Sequence, residues 1–447
     1  MPTLKKAGRT ALSMELHASG VIDHSDAEIT LDMQNPGSLF AGFGGNFRLQ
    51  NPAADPKVID YCLENLRVAY GRVEFPWRLW QPEEEADPIA TAQNGGLNKR
   101  VEESLLMAKR LKAMGMPVIL SCWFPPAWAI DGGPASYARQ GGVIAYRLDN
   151  RKRRRFINPW QIICCMPDSI MALSSPCSRS MNRIWVLMFS TLRRNMQISL
   201  RSSVLIWQAE SSYPYAAGRQ FGCHYFDFIL PALNNPETHK YIGAVSFHSW
   251  RGCDDVTLKK WADAAKAINV PLLVGEGSTD AAAHGYAEIF NESTFALYEI
   301  NLYTRICAIC QPLSILQWQL TSDYSLLWGD GIYGSKGPLR PTQRFWNIKQ
   351  LASTPADALA IPVRSGKKNV NCAAFGNMVR GEYAVHMVNN GAECEAVISG
   401  IPAEVKELKV YVTNTKDCMK ETAVKVENGQ VRVHLPAISF ITLLSDK

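Results

Sequence analysis

The sequence predicts an α/β fold built on a parallel sheet, followed by an antiparallel β-sandwich. Strand-like runs alternate with amphipathic helical patterns from residue 39 to about 345, which is typical of a parallel α/β architecture. Residues 271–277 (PLLVGEG) are apolar without alternation, as expected of a strand buried on both faces. After about residue 361 the pattern changes to short alternating runs separated by turns such as 389–391 (NNG), which favours a sandwich.

The totals indicate a large globular protein of two parts. The chain has 447 residues, of which 47% are hydrophobic and 20% charged, enough for one large core and a smaller one. It contains no apolar stretch of 18 residues, so we expect no membrane span. The first 20 residues carry lysines and an arginine without a following apolar run, and we predict no signal peptide in this chain. The predicted regions are 10–38 (strands joining the sandwich), 39–345 (the parallel α/β region) and 350–447 (C-terminal sandwich).

The cysteines do not indicate a disulfide framework. There are 12 of them at irregular spacings, and we expect most to be small buried hydrophobes. Cys307 and Cys310 form a single C-x-x-C inside a helical pattern, so core thiols are favoured over a metal or redox site.

The net charge of +6 comes from one segment, residues 151–206. That segment contains ten Lys and Arg and a single acidic residue, Asp168, and without it the chain has a net charge of −3. The basic character is therefore local and does not predict a nucleic-acid-binding surface.

The first half of the barrel region supplies five candidate site residues. Residues 39–47 are glycine-rich and apolar, typical of a first strand approached closely by other backbone, and they include Asn46. Residues 66–74 predict the second strand, with Arg72 and Glu74 on one face. A helix over 101–114 leads to a third strand over 116–123. That strand ends in an aromatic rim with Trp123 and Trp128, whose rings are suited to stacking on sugars or simply to core packing.

The second half of the barrel region supplies a candidate catalytic carboxylate. Residues 241–250 predict a strand with His248 near its end, and helices over 256–267 and 293–309 flank the strand 271–277. Glu276 ends that strand, and the carboxyl end of a barrel strand is where catalytic groups lie. A last strand over 313–319 carries Trp318. On its own, Glu276 would equally suit a salt bridge at the rim. A lone histidine such as His248 is more often structural.

In this order, the motifs resemble a clan A retaining glycoside hydrolase, closest to family 30. The resemblance covers most of the chain outside 151–215 and implies a (β/α)8 TIM barrel. It rests on the order of these motifs along the chain: Gly42-Phe43-Gly44-Gly45, Arg72, residues 123–128 (WFPPAW), His248, Glu276 and Trp318.

The resemblance implies a role for each candidate. Glu276 is expected to be the nucleophile, Arg72 and His248 its supports, and Asn46, Trp123, Trp128 and Trp318 substrate contacts. Retaining enzymes need a second carboxylate about 5–5.5 Å from the first. The resemblance places it after the fourth strand in an Asn-Glu-Pro-like motif, which this sequence lacks. The resemblance implies an oligo- or polysaccharide substrate, no metal or organic cofactor, and a secreted or periplasmic location.

The missing motif falls inside the basic segment, and we interpret that segment as a shifted reading frame. Reading each codon from the third base of the written one, Met181-Asn182 forces a Glu, and Trp185-Val186 forces a Gly. With allowed codons elsewhere, residues 177–187 become FSFNEPDLGI. With allowed codons, the same offset also permits amphipathic helices over 157–172 and 188–203. A single change of frame would then agree with both the missing motif and the expected secondary structure. The alternative is a genuine divergent insertion. As written, the chain lacks its proton donor and is predicted to be inactive or poorly folded around its fourth and fifth strands.

Two other functions fit the sequence. One is a catalytically dead carbohydrate-binding barrel protein, since the aromatic rim persists without the acid. The other is a different barrel hydrolase or lyase that uses Glu276 together with Glu74.

Overall fold

The structure is a computed structural model. It describes residues 15, 17, 19–123, 125–134, 137–140, 143–146, 149–152, 184–188, 205–208, 223–239, 242–279 and 285–445. In these ranges no helix is long and apolar enough to cross a membrane.

The described helices are α1 (Asp55–Asn65), α2 (Trp77–Trp80), α3 (Pro88–Gln93), α4 (Lys99–Ala113), α5 (Leu230–Leu233), α6 (Pro236–His239), α7 (Asp255–Ala267), α8 (Ser293–Cys310) and α9 (Gln343–Ala352). Short 3-10 helices cover Ala127–Ala129, Asn150–Lys152, Cys223–Phe228, Ala287–Asn291 and Ile332–Gly334. The described strands are β1 (Ala27–Leu31), β2 (Leu39–Phe40), β3 (Gly44–Phe47), β4 (Gly71–Pro76), β5 (Val118–Trp123), β6 (Tyr137–Gln140), β7 (Val143–Tyr146), β8 (Ile184–Met188), β9 (Leu205–Gln208), β10 (Ile242–His248), β11 (Leu272–Gly277), β12 (Ser314–Gln317), β13 (Leu327–Trp328), β14 (Arg340–Pro341), β15 (Ala358–Ile361), β16 (Val363–Ser365), β17 (Val370–Asn377), β18 (Glu382–Asn389), β19 (Cys394–Ser399), β20 (Glu407–Thr413), β21 (Lys420–Lys425), β22 (Gln430–Leu435) and β23 (Ser439–Ser445).

Eight parallel strands form a sheet that closes on itself, in the order β3-β4-β5-β8-β9-β10-β11-β12 and back to β3. In the described residues, helices lie between β3 and β4, β4 and β5, β9 and β10, β10 and β11, and β11 and β12. The predicted α/β class with a parallel sheet is therefore confirmed. The segment between β8 and β9 lies outside the described residues, so a helix after every strand, as the (β/α)8 designation requires, stays a prediction.

The fourth and fifth positions of this sheet are occupied by β8, within the basic segment, and β9, at its end. β8 pairs with β5 from Val118–Ile184 to Cys122–Met188, and β9 pairs with β10. The sequence pattern contains no recognisable fifth strand, and β9 corrects that expectation. The pattern failed there because the strand has only four residues, too few to establish a periodicity.

The remaining large sheets are separate from the barrel. A seven-stranded antiparallel sheet has the order β2-β15-β17-β18-β23-β20-β21, and a four-stranded sheet has the order β16-β1-β19-β22. Both contribute to one apolar cluster that includes Ile29, Met387 and Ile398. β1 pairs with β16 antiparallel but with β19 parallel, so the second sheet is mixed. The predicted domain boundaries remain a proposal that this shared core supports.

The predicted first barrel strand over 39–47 is wrong as a single element. Leu39 and Phe40 form β2 and pair with β15, whereas Gly44–Phe47 form β3 inside the barrel sheet. Gly42 separates the two with φ of 134°, a conformation that side chains rarely adopt. This glycine lets the chain leave one sheet and enter the other.

Candidate active site

Glu276 lies near the carboxyl end of β11, and the barrel register brings it beside His248. β10 and β11 run parallel, and His248 pairs with Glu276 across an irregularity in the register. The backbone N–H of Ser249 also donates to the Glu276 carbonyl at 3.0 Å. Every residue of β11 is buried because its neighbours cover both faces. The side chain of Glu276 is only 7% exposed, so its contacts determine its chemistry.

Arg72 and Asn46 hold the first carboxylate oxygen. These two residues pair directly on neighbouring strands β3 and β4. The Arg72 Nη1 atom donates both to Asn46 Oδ1 at 2.6 Å and to Glu276 Oε1 at 2.9 Å. Asn46 Nδ2 donates to the carbonyls of Gly275 and Leu316, each at 3.0 Å. These contacts favour Asn46 as a residue that positions Arg72, and its predicted contact with substrate stays a prediction.

Trp250 and His248 contact the second carboxylate oxygen. The indole N–H of Trp250 donates to Glu276 Oε2 at 3.1 Å, and His248 Nδ1 lies 3.3 Å from the same oxygen. Burial and the nearby charge of Arg72 lower the pKa of His248 well below its usual value. The imidazole is therefore expected to be neutral near pH 7, which permits a hydrogen bond to Glu276 without a second positive charge.

The pKa of Glu276 reflects two opposing effects. Burial raises the pKa above the ordinary glutamate value, and the charge of Arg72 and the hydrogen bond from Trp250 lower it. The net direction is upward, so burial has the larger effect. The expectation that Arg72 favours the ionised form gives the correct sign for its own contribution, but burial outweighs it.

Trp123 and Trp318 form an aromatic wall beside this carboxylate. Their rings are nearly parallel, at 7°, with centroids 5.9 Å apart, and Trp250 packs edge-on against Trp318 with centroids 6.3 Å apart. The guanidinium of Arg48 lies 4.6 Å from the Trp123 ring centroid. Trp123 is half-buried, whereas Trp318 is only 3% exposed. Trp123 is therefore the better placed of the two to contact a ligand.

Trp128 is held in a different way. Its indole N–H donates to the Gln81 carbonyl at 3.0 Å, and its ring packs against the main barrel core rather than within the aromatic cluster of Trp250 and Trp318. Its predicted role in substrate binding stays a prediction.

Glu74 forms an ion pair with Arg48, whose Nε lies 2.6 Å from Glu74 Oε2. The side chains are 10% and 22% exposed, so the pair is partly shielded from water. Sequence reasoning placed Arg72 and Glu74 on one face, but the two residues bind different partners.

Sequence reasoning missed Trp250 and Arg48 as members of the site. Both have the same signal: each lies two residues beyond a candidate, after His248 and Asn46 respectively. Side chains two apart on an extended chain share a face. That spacing would have identified them.

The expected acid/base position is only partly described. The shifted frame would encode Asn-Glu-Pro across residues 180–183, which lie outside the described residues. These positions precede β8 in the chain, whereas the resemblance expects the motif after the fourth strand. The fourth strand itself, β8, has the sequence IWVLM and carries no carboxylate. The described residues therefore bring together the nucleophile candidate and its supports, without a second acid on the fourth strand.

Comparison with known proteins shows the fold. No family model matches the sequence, and no curated protein matches it. The GH30 endoxylanase from Clostridium papyrosolvens C71 superposes with a TM-score of 0.68 at 15% identity, covering 94% of this chain and 100% of that one. The GH30 subfamily 8 xylanase Xyn30A from Clostridium acetobutylicum gives 0.68 at 14% identity with the same coverage. The GH51 arabinofuranosidase from Xanthomonas axonopodis pv. citri gives 0.53 at 13% identity, also with 94% and 100% coverage.

The chain therefore shares its fold with these glycoside hydrolases. The predicted resemblance to clan A, and to family 30 in particular, is confirmed at the level of fold.

Proposed function

We propose that this protein is a retaining glycoside hydrolase that acts on a β-linked glycan with Glu276 as the nucleophile. The observation that carries the proposal is the surroundings of Glu276: a buried carboxylate at the end of a barrel strand, bound by Arg72 and Trp250 and adjacent to an aromatic wall. Trp123 in that wall is half-buried, so part of an aromatic ring near the carboxylate remains accessible to a sugar face.

The proposed first step is attack by Glu276 on the anomeric carbon. The bond between the carboxylate oxygen and carbon forms while the glycosidic bond breaks, giving a covalent glycosyl-enzyme that water then hydrolyses. Arg72 favours the ionised nucleophile by its charge, and neutral His248 and Trp250 orient the second oxygen. Trp123 stacks against a sugar face.

Departure of the leaving group needs a proton, and the sequence as written has no donor in the expected place. Acid assistance contributes typically 10²–10⁴-fold in rate. We therefore propose that the chain as written hydrolyses natural glycans poorly but still reacts with activated aryl glycosides, whose leaving groups need no proton. This is also the point at which the function differs from that of a catalytically dead binding protein, which would react with neither.

The substrate class is indicated by the comparison only in outline. Two of the similar structures are named as xylanases and one as an arabinofuranosidase. We propose a pentose-containing, β-linked polysaccharide, and the first substrates to test are aryl β-xylosides and β-xylobiosides.

Restoring the proposed reading frame tests this function directly. A chain recoded so that residues 157–203 are read in the alternative frame, which encodes Asn-Glu-Pro across positions 180–183, is expected to hydrolyse unactivated glycan about 10²–10⁴ times faster than the chain as written. The matched control is the recoded chain with the new glutamate changed to glutamine. Equal rates for the recoded chain and its control would contradict the frame hypothesis and the acid/base assignment.

A second experiment separates the hydrolase from the binding protein. Glu276→Gln is expected to abolish turnover of an activated aryl glycoside while glycan binding remains. Weak glycan binding with no turnover of any substrate, even in the recoded chain, would favour the binding protein. If Glu74→Ala loses activity as completely as Glu276→Gln, the alternative hydrolase or lyase that uses both acids would be favoured.

A further inference from the structure

Two cysteine sulfurs next to the site are closer together than two thiols that are not covalently bonded would normally lie. Cys253 Sγ and Cys223 Sγ are 2.6 Å apart, although the two residues are 30 positions apart in sequence. A disulfide has an S–S distance of about 2.05 Å, so only a small movement separates this arrangement from a covalent bond. We propose that Cys223 and Cys253 form a disulfide under oxidising conditions.

The two backbones are held independently, so the pair is arranged in advance. Cys223 begins the 3-10 helix Cys223–Phe228, and its carbonyl accepts a hydrogen bond from the indole of Trp261 on α7 at 2.7 Å. Cys253 lies between β10 and α7, and its carbonyl accepts from Arg305 Nη2 on α8 at 3.0 Å. Forming the bond therefore needs little loss of conformational freedom in the folded protein.

A third thiol, Cys310, is a weaker candidate for the same partner. Its Sγ donates to the carbonyl of Leu258 at 3.4 Å, which directs it toward α7. A metal site of three thiols is not supported, because the described residues contain no group of three His, Cys, Asp or Glu side chains arranged to hold an ion. These contacts favour a two-cysteine bond between Cys223 and Cys253.

The bond would form by thiol–disulfide exchange with a small-molecule disulfide such as oxidised glutathione. Cys253 is half-buried and Cys223 is buried, so the Cys253 thiolate is the group that the reagent reaches. It attacks the reagent and forms a mixed disulfide, releasing one thiolate. Cys223 then loses its proton and attacks the Cys253 sulfur, releasing the second thiol. The protein loses two hydrogens, and one disulfide reagent is reduced to two thiols.

This disulfide would fix the segment that supports the nucleophile. The segment from β10 to Cys253 contains Trp250, which donates to Glu276, and Ser249, whose Oγ donates to the Ser278 carbonyl at 2.6 Å. The disulfide would therefore join this segment to the helix that comes after β9. The expectation that most cysteines are small buried hydrophobes would then fail for this pair. The disulfide would also suit the oxidising compartment that the family resemblance implies.

The test is to treat the full chain with oxidised glutathione or with a reducing agent and map its peptides without reduction. We expect one linked peptide pair joining Cys223 to Cys253, and an intact mass lower by two hydrogens. The thermal unfolding midpoint should be higher in the oxidised protein by about 4 °C, the size expected for closing a loop of this length in a chain of this size.

Three variants make the test specific. Cys253→Ser is expected to abolish both the linked peptide and the shift in midpoint, whereas Cys310→Ser and the exposed-site control Cys418→Ser should retain both. A linked peptide joining Cys253 to Cys310, or the full shift persisting in Cys253→Ser, would overturn the proposal. A fully reduced protein after prolonged oxidation would overturn it as well.

Discussion

Within the described part of the barrel, two fully buried pairs of arginine and glutamate differ in how they are bound. In the first, Arg72 contacts Glu276 with one nitrogen, which it shares with Asn46. In the second, Arg344 uses two nitrogens on Glu299, with both distances 2.8 Å. The side chains of this second pair are 0% and 1% exposed.

The remaining bonds around Glu299 make it a structural centre. Ser278 Oγ and Gln317 Nε2 donate to Glu299 Oε1 at 3.1 and 3.2 Å, and Arg344 Nη1 donates to the carbonyl of Ser325 at 2.8 Å. These contacts join α8, α9 and the ends of β11 and β12. A two-nitrogen fork with further donors resists any movement of the carboxylate.

The pKa directions separate the two pairs as well. Burial disfavours the charged Arg344 guanidinium, but Glu299 more than compensates, and the pKa of Arg344 is raised. At Glu276 the balance is reversed, because burial outweighs Arg72 and the pKa of the carboxyl is raised. In the first pair, burial opposes ionisation of the carboxylate, which accepts one hydrogen bond from Arg72 and one from Trp250. Perturbed pKa values of this kind cluster at functional sites. In the second pair, two nitrogens of the same arginine bind the carboxylate.

The largest expected effect is on catalysis. Glu276→Gln should reduce turnover of an activated aryl β-glycoside by at least about 10⁴-fold, because the amide cannot attack the anomeric carbon. Steady-state kinetics with the aryl glycoside measure the loss. Glu299→Gln is the matched control for removing a buried carboxylate, and its folded fraction should keep a rate within about 10-fold of the parent. Equal losses in both variants would remove the distinction between the two pairs.

The second effect is on stability, where we expect the opposite order: Glu299→Gln should lower the free energy of unfolding more than Glu276→Gln does. Glu299→Gln leaves the Arg344 charge buried against a neutral partner, which typically costs about 3–5 kcal/mol of unfolding free energy. Denaturant unfolding measures it. Arg432→Gln, which breaks the exposed pair with Asp26, should cost at most about 1 kcal/mol. A loss for Glu276→Gln larger than for Glu299→Gln would make the first pair the structural one.

The third effect is on the pH profile. The nucleophile reacts as a carboxylate, so the rate falls as the pH drops through its pKa. Because burial raises that pKa, the fall should begin at a higher pH than for an exposed glutamate. Arg72→Met removes the opposing charge and should move the acid limb of kcat/KM up by about 1–3 pH units. Arg72→Lys should move it less, and an unchanged limb in Arg72→Met would show that the limb belongs to another group.

The smallest effect concerns the aromatic wall. Trp123→Ala should raise KM by about 3- to 10-fold, the size of one lost aromatic contact, with little change in kcat. Trp128→Ala, whose indole binds the Gln81 carbonyl, should change KM less. The reverse order would identify Trp128 as the sugar contact and would assign Trp123 to packing with Trp318.

Sequence reasoning identified one of the two pairs, for a physical reason. Arg72 and Glu276 lie near the ends of the predicted strands 66–74 and 271–277, where periodicity and the barrel rule together indicate a common rim. In the structure β4 extends to Pro76, and Arg72 is its second residue. Glu299 lies inside an apolar helix, four residues after Phe295 and three before Leu302, so it was taken as part of a helix pattern only. An acid on the apolar face of a helix is itself a signal of a buried partner. Its partner is 45 residues away, however, and no local pattern identifies it.

The strand boundaries show the same limit. The run over 39–47 is continuously apolar and glycine-rich, yet the chain crosses from one sheet to another within it at Gly42. The glycines indicate that other parts of the chain pack closely against this backbone. They do not indicate which sheet each half of the run joins. β9 was missed because its four residues show no strand pattern of their own. It is recognised as a strand only by its pairing with β10.

Trapping the covalent intermediate tests the nucleophile assignment most directly. The chain is incubated with a 2-deoxy-2-fluoro β-glycoside that carries an activated aryl leaving group, which needs no acid for departure, and its peptides are then mapped by mass spectrometry. We predict a single sugar ester on Glu276 and none in Glu276→Gln. An ester on Glu74 or another carboxylate, with Glu276 unmodified, would contradict the account.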